Sequence, residues 1–244
     1  MNEAIKVERL TKSYGGQPVV KNLSLSVGYG TIFGLLGANG AGKSTSIECI
    51  LGTKAPDSGE VSIIGMNPKT DRKRLFKKVG VQFQEANYQN EITVGELCRE
   101  TSALYKQAAD CHKLLSQFGI ADKIKSPVKN LSGGQRQRLF IVLALISDPK
   151  VVFLDELTTG LDTKARKDVW KILEGLKKNG LTIFLTSHFM DEVEVLCDEI
   201  CILKHGETVF YGTVDEAIAN SPCEKFEDAY LWYADEEADK NENL

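Results

Sequence analysis

The stretch GANGAGKST, beginning at Gly37, places Lys43 and the hydroxyl of Ser44 directly after a glycine-rich turn. It completes the spacing G-x-x-x-x-G-K-[ST] through Gly37, Gly42, Lys43 and Ser44. It also lies between the apolar run IFGLL and the helical pattern SIECILG. Glycines let the backbone curl so that successive N–H groups converge on phosphate oxygens. Lys43 adds positive charge at the β- and γ-phosphates, and the Ser44 hydroxyl suits Mg2+. The loop, with Gly37, Asn39, Gly40, Ala41, Gly42, Lys43, Ser44 and Thr45, is therefore expected to hold a nucleoside triphosphate and its metal.

Three further stretches carry chemistry. VVFLDE ends in Asp155 and Glu156, and a carboxylate at the end of a buried strand is costly unless it meets a cation. Asp155 is the expected Mg2+ ligand, and Glu156 is placed to take a proton from an attacking water. His188, in LTSHFMDEVE, follows the apolar run LTIFL. The carboxyl end of such a strand is the rim where open parallel sheets bind ligands, and an imidazole there can donate to a γ-phosphate. LSGGQRQR, Leu131 to Arg138, is a second glycine turn. Ser132 is placed to cap the following helix, and Gly133 and Gly134 offer backbone N–H groups to an anion.

These residues need strands and helices to hold them. Short β-rich runs alternate with helical patterns, which predicts an α/β fold. IKVERL and LSLSV alternate like half-exposed antiparallel strands. IFGLL, VVFL and LTIFL are continuous and apolar, as parallel strands covered on both faces should be. In TKARKDVWKILEGLKKNG, the residues Val169, Ile172, Leu173 and Leu176 share one helical face, and Gly180 follows as a stop. From about Glu91 to Pro149, TVGELCRETSALYKQ and DCHKLLSQFGI read as consecutive helices with no strand between them, which predicts an inserted helical lobe.

Composition narrows the class. With 244 residues, 42% of them hydrophobic, the chain can bury a substantial core. The longest apolar run, Leu139 to Ile146, is far short of the roughly 18 residues that suggest a membrane span. The start MNEAIKVERL lacks a signal-peptide pattern, so the expected location is cytosolic. Six cysteines without CxxC spacing predict reduced, buried thiols rather than a disulfide framework. The formal charge of −4 gathers from Glu224 onward, where acids far outnumber Lys225 and Lys240. A strongly basic nucleic-acid surface is not expected, and the last ten residues read as a solvated end.

The ordered set GANGAGKST, LSGGQ, VVFLDE, TTGLD and the histidine of TSH resembles the ATP-binding subunits of ABC transporters. The likeness runs from about Ile5 to Ala217 and leans toward the drug- and antibiotic-export branch. It implies an α/β P-loop NTPase core with a mainly parallel sheet, an antiparallel β-subdomain and an inserted helical subdomain. The single ATPase domain would occupy about 1–220, with a core lobe at about 1–90 and 150–220 and a helical lobe at about 91–149. An acidic tail would fill 221–244.

The resemblance also implies roles for individual residues. Tyr14 aligns with the aromatic residue that stacks on adenine, and Gln84 with the lobe-joining glutamine that senses Mg2+ and the attacking water. Asp162, in TTGLD, aligns with a loop that signals between subunits. ATP would lie between the phosphate loop of one copy and Ser132, Gly133, Gly134 and Gln135 of a second, in a homodimer or heterodimer serving integral membrane permease subunits. Glu156, His188, Lys43 and Gln84 would be the catalytic set, and Ser44, Gln84 and Asp155 the metal set. The expected place is the cytoplasmic face of a membrane. The family commonly carries proline where this chain has Phe83 and Leu157, which leaves those loops less constrained.

Other classes fit less well. A soluble non-transport ATPase of the same superfamily, of the iron–sulfur assembly kind, is the alternative reading. A chromosome-organising clamp would need a long coiled coil between Lys43 and Leu131, and a scaffold that holds ATP without turnover would not need Glu156 and His188.

Overall fold

The computed structural model describes residues 3–82, 88, 91–156 and 158–234. In chain order come β1 (Glu3–Tyr14), β2 (Gln17–Gly28), β3 (Ile32–Gly37), α1 (Lys43–Ile50), β4 (Ser58–Ile63), α2 (Arg72–Leu75) and β5 (Val79–Gln82). Helices α3 (Val94–Ala103), α4 (Cys111–Gln117) and α5 (Gly133–Leu145) lead to β6 (Val151–Leu154), α6 (Thr163–Lys178) and β7 (Thr182–Leu185). Then follow α7 (Met190–Leu196), β8 (Glu199–Lys204), β9 (Glu207–Gly212), α8 (Val214–Ala219) and α9 (Phe226–Ala234). The chain forms two compact units, Met1–Arg72 with Thr186–Leu244, and Lys73–Leu185. β5, β6 and β7 thus share a unit with the helices α3, α4 and α5.

In the first unit, β2, β1 and β4 make an antiparallel sheet with β1 in the middle. The alternation read from LSLSV holds, since Leu23, Leu25 and Val27 are buried and Ser24 is exposed. Gly15 and Gly16, with φ of 56° and 82°, turn β1 into β2 so that Tyr14 faces Gln17. Two central residues at positive φ suit the twist of the flanking strands. β3 is buried at every position and pairs in parallel with β8, which returns antiparallel as β9.

Around β3 and β8 the core gathers Leu36, Val193, Ile200, Ile202, Ala217 and Phe226. Phe226 and Ala229 come from α9 and are 1% and 0% exposed. Within the segment that composition marks as an acidic tail, Phe226–Ala234 is therefore a packed helix. Its acids Glu227 and Asp228 sit in its first turn, where the helix dipole favours them.

In the second unit, β5, β6 and β7 run parallel, with Val79 opposite Val151 and Val151 opposite Thr182. Every residue of β6 and β7 is buried, as their unbroken apolar sequence requires. α5 lies close on β5, since a Cβ on Gly80 would meet the Ala144 carbonyl oxygen at 2.0 Å. α6 buries Val169, Trp170 and Leu173 and stops where Gly180 takes φ 91°. α3 ends at Ala103, sooner than the pattern TVGELCRETSALYKQ suggests. Leu104, next in the chain, is 75% exposed, and the Ala109 N–H bonds the Ile146 carbonyl at 2.8 Å.

All six cysteines are free thiols, with Cys49, Cys98 and Cys201 buried and the others half-buried. No helix among the described residues is long and apolar enough to cross a membrane.

Candidate active site

The residues singled out from sequence fall in both units. The first holds Tyr14, the phosphate loop and His188. The second holds Ser132, Gly133, Gly134, Gln135, Asp155, Glu156 and Asp162. Gln84, Phe83 and Leu157 lie outside the described residues.

The phosphate loop leaves the buried strand β3 and enters α1. Gly37, Gly40 and Gly42 have φ of 148°, 83° and 101°, a region that side chains with a Cβ avoid. The chain packs tightly behind the loop at two of them. A Cβ on Gly37 would come within 2.5 Å of the Leu203 carbonyl oxygen, and one on Gly42 within 2.5 Å of that of Val19. Lys43 is 9% exposed and donates to the Gly37 and Ala38 carbonyls at 2.7 and 3.1 Å. Its ammonium therefore stays at the loop. Ser44 is exposed beside it, and the first turn of α1 carries no acid, so its dipole favours an anion.

The loop is braced by a residue the sequence reading missed. Gly206, in the turn from β8 to β9, donates its N–H to the Ala41 carbonyl at 3.1 Å, and its own carbonyl accepts from the Lys21 N–H at 2.8 Å. A Cβ there would meet the Val19 oxygen at 2.4 Å. The sequence signal was no more than a glycine between two apolar runs, a general turn marker.

Tyr14 closes β1 and is 43% exposed. Lys12 and Lys54 place their ammonium groups 5.4 and 5.5 Å from its ring centroid, within cation–π range. Both cations are themselves held, Lys12 by Asp57 at 3.0 Å and Lys54 by Glu48 at 2.7 Å. The Lys12 ammonium and then the Ser13 N–H keep the Asp57 carboxyl below its usual range.

His188 is exposed just past β7, behind the buried Thr186 and Ser187. Its turn is pinned from α7. Ser187 Oγ donates to the carboxylate of Glu192 and accepts the Phe189 N–H at 3.0 Å. Glu192 is 0% exposed. It was also missed from sequence, where it looks like any acid near a helix start.

In the second unit, Ser132 caps α5. Its Oγ accepts the Gln135 N–H at 3.2 Å, while Gln135 Oε1 accepts the Ser132 N–H at 3.1 Å. This reciprocal capping box is written in the spacing S-x-x-Q, and it gives Gln135 a structural task alongside the one the motif implies. Ser132 and Gly133 are exposed, and the first turn of α5 holds no acid. Asp162 caps α6, accepting the Ala165 N–H at 2.8 Å.

Asp155 and Glu156 follow β6 directly and are half-buried. The Asp155 N–H bonds the Gln82 carbonyl at 3.2 Å. Glu156 stands at φ 51°, strained for a residue with a long side chain, and such strain gathers at functional positions. Its carbonyl accepts from Gln137 Nε2 at 3.2 Å, so α5 helps to hold this backbone. Among the described residues no group of three or more His, Cys, Asp or Glu side chains could hold a metal alone.

An α/β fold with a phosphate loop, acids at a strand end and a second glycine-led helix defines a P-loop ATPase. Residues 20–159 match the family model described as "ABC transporter", and the chain belongs to that family as its ATP-binding, ATP-hydrolysing subunit. A curated relative, the Nod factor export ATP-binding protein I of Ralstonia nicotianae, is 41% identical over 221 residues, which cover 88% of this chain and 69% of that protein. The solved ATP-binding subunit of an ABC transporter superposes with a TM-score of 0.86 at 26% identity, covering 94% of this chain and 99% of that one. A bacterial ABC transporter cassette solved as a dimer gives 0.78 at 26% identity, covering 86% and 98%.

Proposed function

We propose that the chain drives export by closing, as a dimer, around two molecules of Mg2+–ATP. Each ATP is cradled by Gly37–Thr45 of one copy, with Tyr14 against adenine, and is covered by Ser132, Gly133, Gly134 and Gln135 of the second. Ser44, Gln84 and Asp155 are the residues that would hold Mg2+, whose charge would offset that of the phosphates. Lys43 and His188 hold the γ-phosphate, Glu156 takes the proton of the attacking water, and Gln84 orients that water. Asp162 carries the state of the site to the neighbouring copy. The partners are a second ATP-binding subunit and integral membrane permease subunits, reached from the cytoplasmic face.

One observation carries this reading. A single chain presents two glycine-rich helix starts that carry no acid, α1 behind Gly37, Gly40 and Gly42, and α5, which opens on Gly133 and Gly134. A twofold pair uses both at once, because the swapped contacts are reciprocal. The export direction is supported by the named role of the Ralstonia relative.

The test is Glu156→Gln. The variant should bind ATP as the wild type does and lose at least about a hundredfold in hydrolysis, the scale of a lost general base. It should accumulate as a dimer in ATP on size exclusion. A variant that remains monomeric in ATP with its membrane partner present would overturn the reading.

A further inference from the structure

Two of the six cysteines meet at a cavity to which no candidate site residue contributes. Cys98 on α3 and Cys111 at the start of α4 line this cavity of about 710 Å³, together with Arg99, Ser102, Ile124 and Lys125. Cys98 is 3% exposed and Cys111 is half-buried. We propose that Cys98 and Cys111 are a reactive thiol pair that closes to a disulfide by exchange with a small-molecule disulfide admitted to this cavity.

The chemistry assigns each thiol a part. Their shared hydrogen bond, and then burial, push the Cys98 thiol far above the usual range, whereas the same bond draws Cys111 down. Cys98 is thus the donor and Cys111 holds the thiolate character. Burial and the neighbouring Asp110 carboxylate work against that charge, and the Cys98 hydrogen bond outweighs them. The Cys111 thiolate attacks one sulfur of the incoming disulfide, its S–S bond breaks, and one small thiol departs. Cys98 then attacks the Cys111 sulfur of the mixed disulfide and expels the second small thiol. The protein pair loses two electrons, the reagent gains them, and the two thiol protons end on the two released thiols. The new bond ties α3 to α4. Such bonds in reducing compartments are transient and regulatory rather than structural.

The experiment treats the full chain with oxidised glutathione, quenches by alkylation, and maps the cysteines by mass spectrometry. The wild type should lose about 2 Da, the two hydrogens of a closed pair, with the peptides of Cys98 and Cys111 joined and freed again by dithiothreitol. Cys111 should react at least about tenfold faster than the half-buried Cys197 and Cys223, because a neighbouring thiol donates to it at the wall of a cavity that admits the reagent. Cys98→Ala should instead collect a stable glutathione adduct on Cys111, and Cys111→Ala should leave Cys98 unmodified. Adducts that form first on Cys197 or Cys223, or an adduct on Cys111 that the wild type never resolves, would sink the proposal. The wild-type map stands by itself if either variant folds poorly.

Discussion

Gly206 shows how a residue without a side chain can govern a site. Its peptide group joins the phosphate loop at Ala41 to β2 at Lys21. Its φ of 82° is one that a residue with a Cβ rarely adopts. Gly206→Ala should cost about 1–3 kcal/mol from the backbone alone, read as a lower urea midpoint. ATP affinity should fall with it, because the added Cβ, 2.4 Å from the Val19 oxygen, must push the Gly206 N–H away from the Ala41 carbonyl; an unchanged affinity would separate the brace from the loop. Nothing near Gly206 in sequence announces this, since its partners lie far away along the chain. The glycine turn before Lys43, the strand-end position of Asp155 and the cap made by Ser132 were legible because their motifs are local and complete. Glu192 and Gln137 were not, because their tasks exist only once α7 and α5 are folded back on their neighbours.

At the scale of elements, α5 joins two jobs. Its first turn is capped by Ser132 and Gln135, and its later turns bury Leu139, Ile141, Val142, Ala144 and Leu145. Ser132→Arg forfeits a cap worth about 1 kcal/mol, which that buried face can absorb, so the helix should persist by circular dichroism. The bulky cation at an exposed turn should leave ATP binding to the isolated chain within about threefold, a shift under 1 kcal/mol. ATP-driven dimers should vanish from size exclusion, and their persistence would remove α5 from the interface. The strands β1, β2, β3, β6 and β7 and the helix α6 were readable from their apolar patterns. α9 was not, because the many acids that follow Cys223 mask the apolar residues Phe226 and Ala229.

The whole molecule depends on α9 more than its composition suggests. Phe226 sits in the core with Leu36 and Ile202, so Phe226→Ala should cost about 3–5 kcal/mol by urea unfolding. The loss should appear without any direct contact to nucleotide. An unfolding midpoint equal to the wild type would mean that α9 is merely laid on the surface. The first unit is built from two separated lengths of chain, Met1–Arg72 and Thr186–Leu244, while Lys73–Leu185 is continuous. That order matters on the ribosome. The phosphate loop is made early, yet Gly206 emerges on the order of ten seconds later at roughly 5–20 residues per second. The continuous unit can finish folding in that interval, while the nascent loop waits, unbraced, for the end of its own chain.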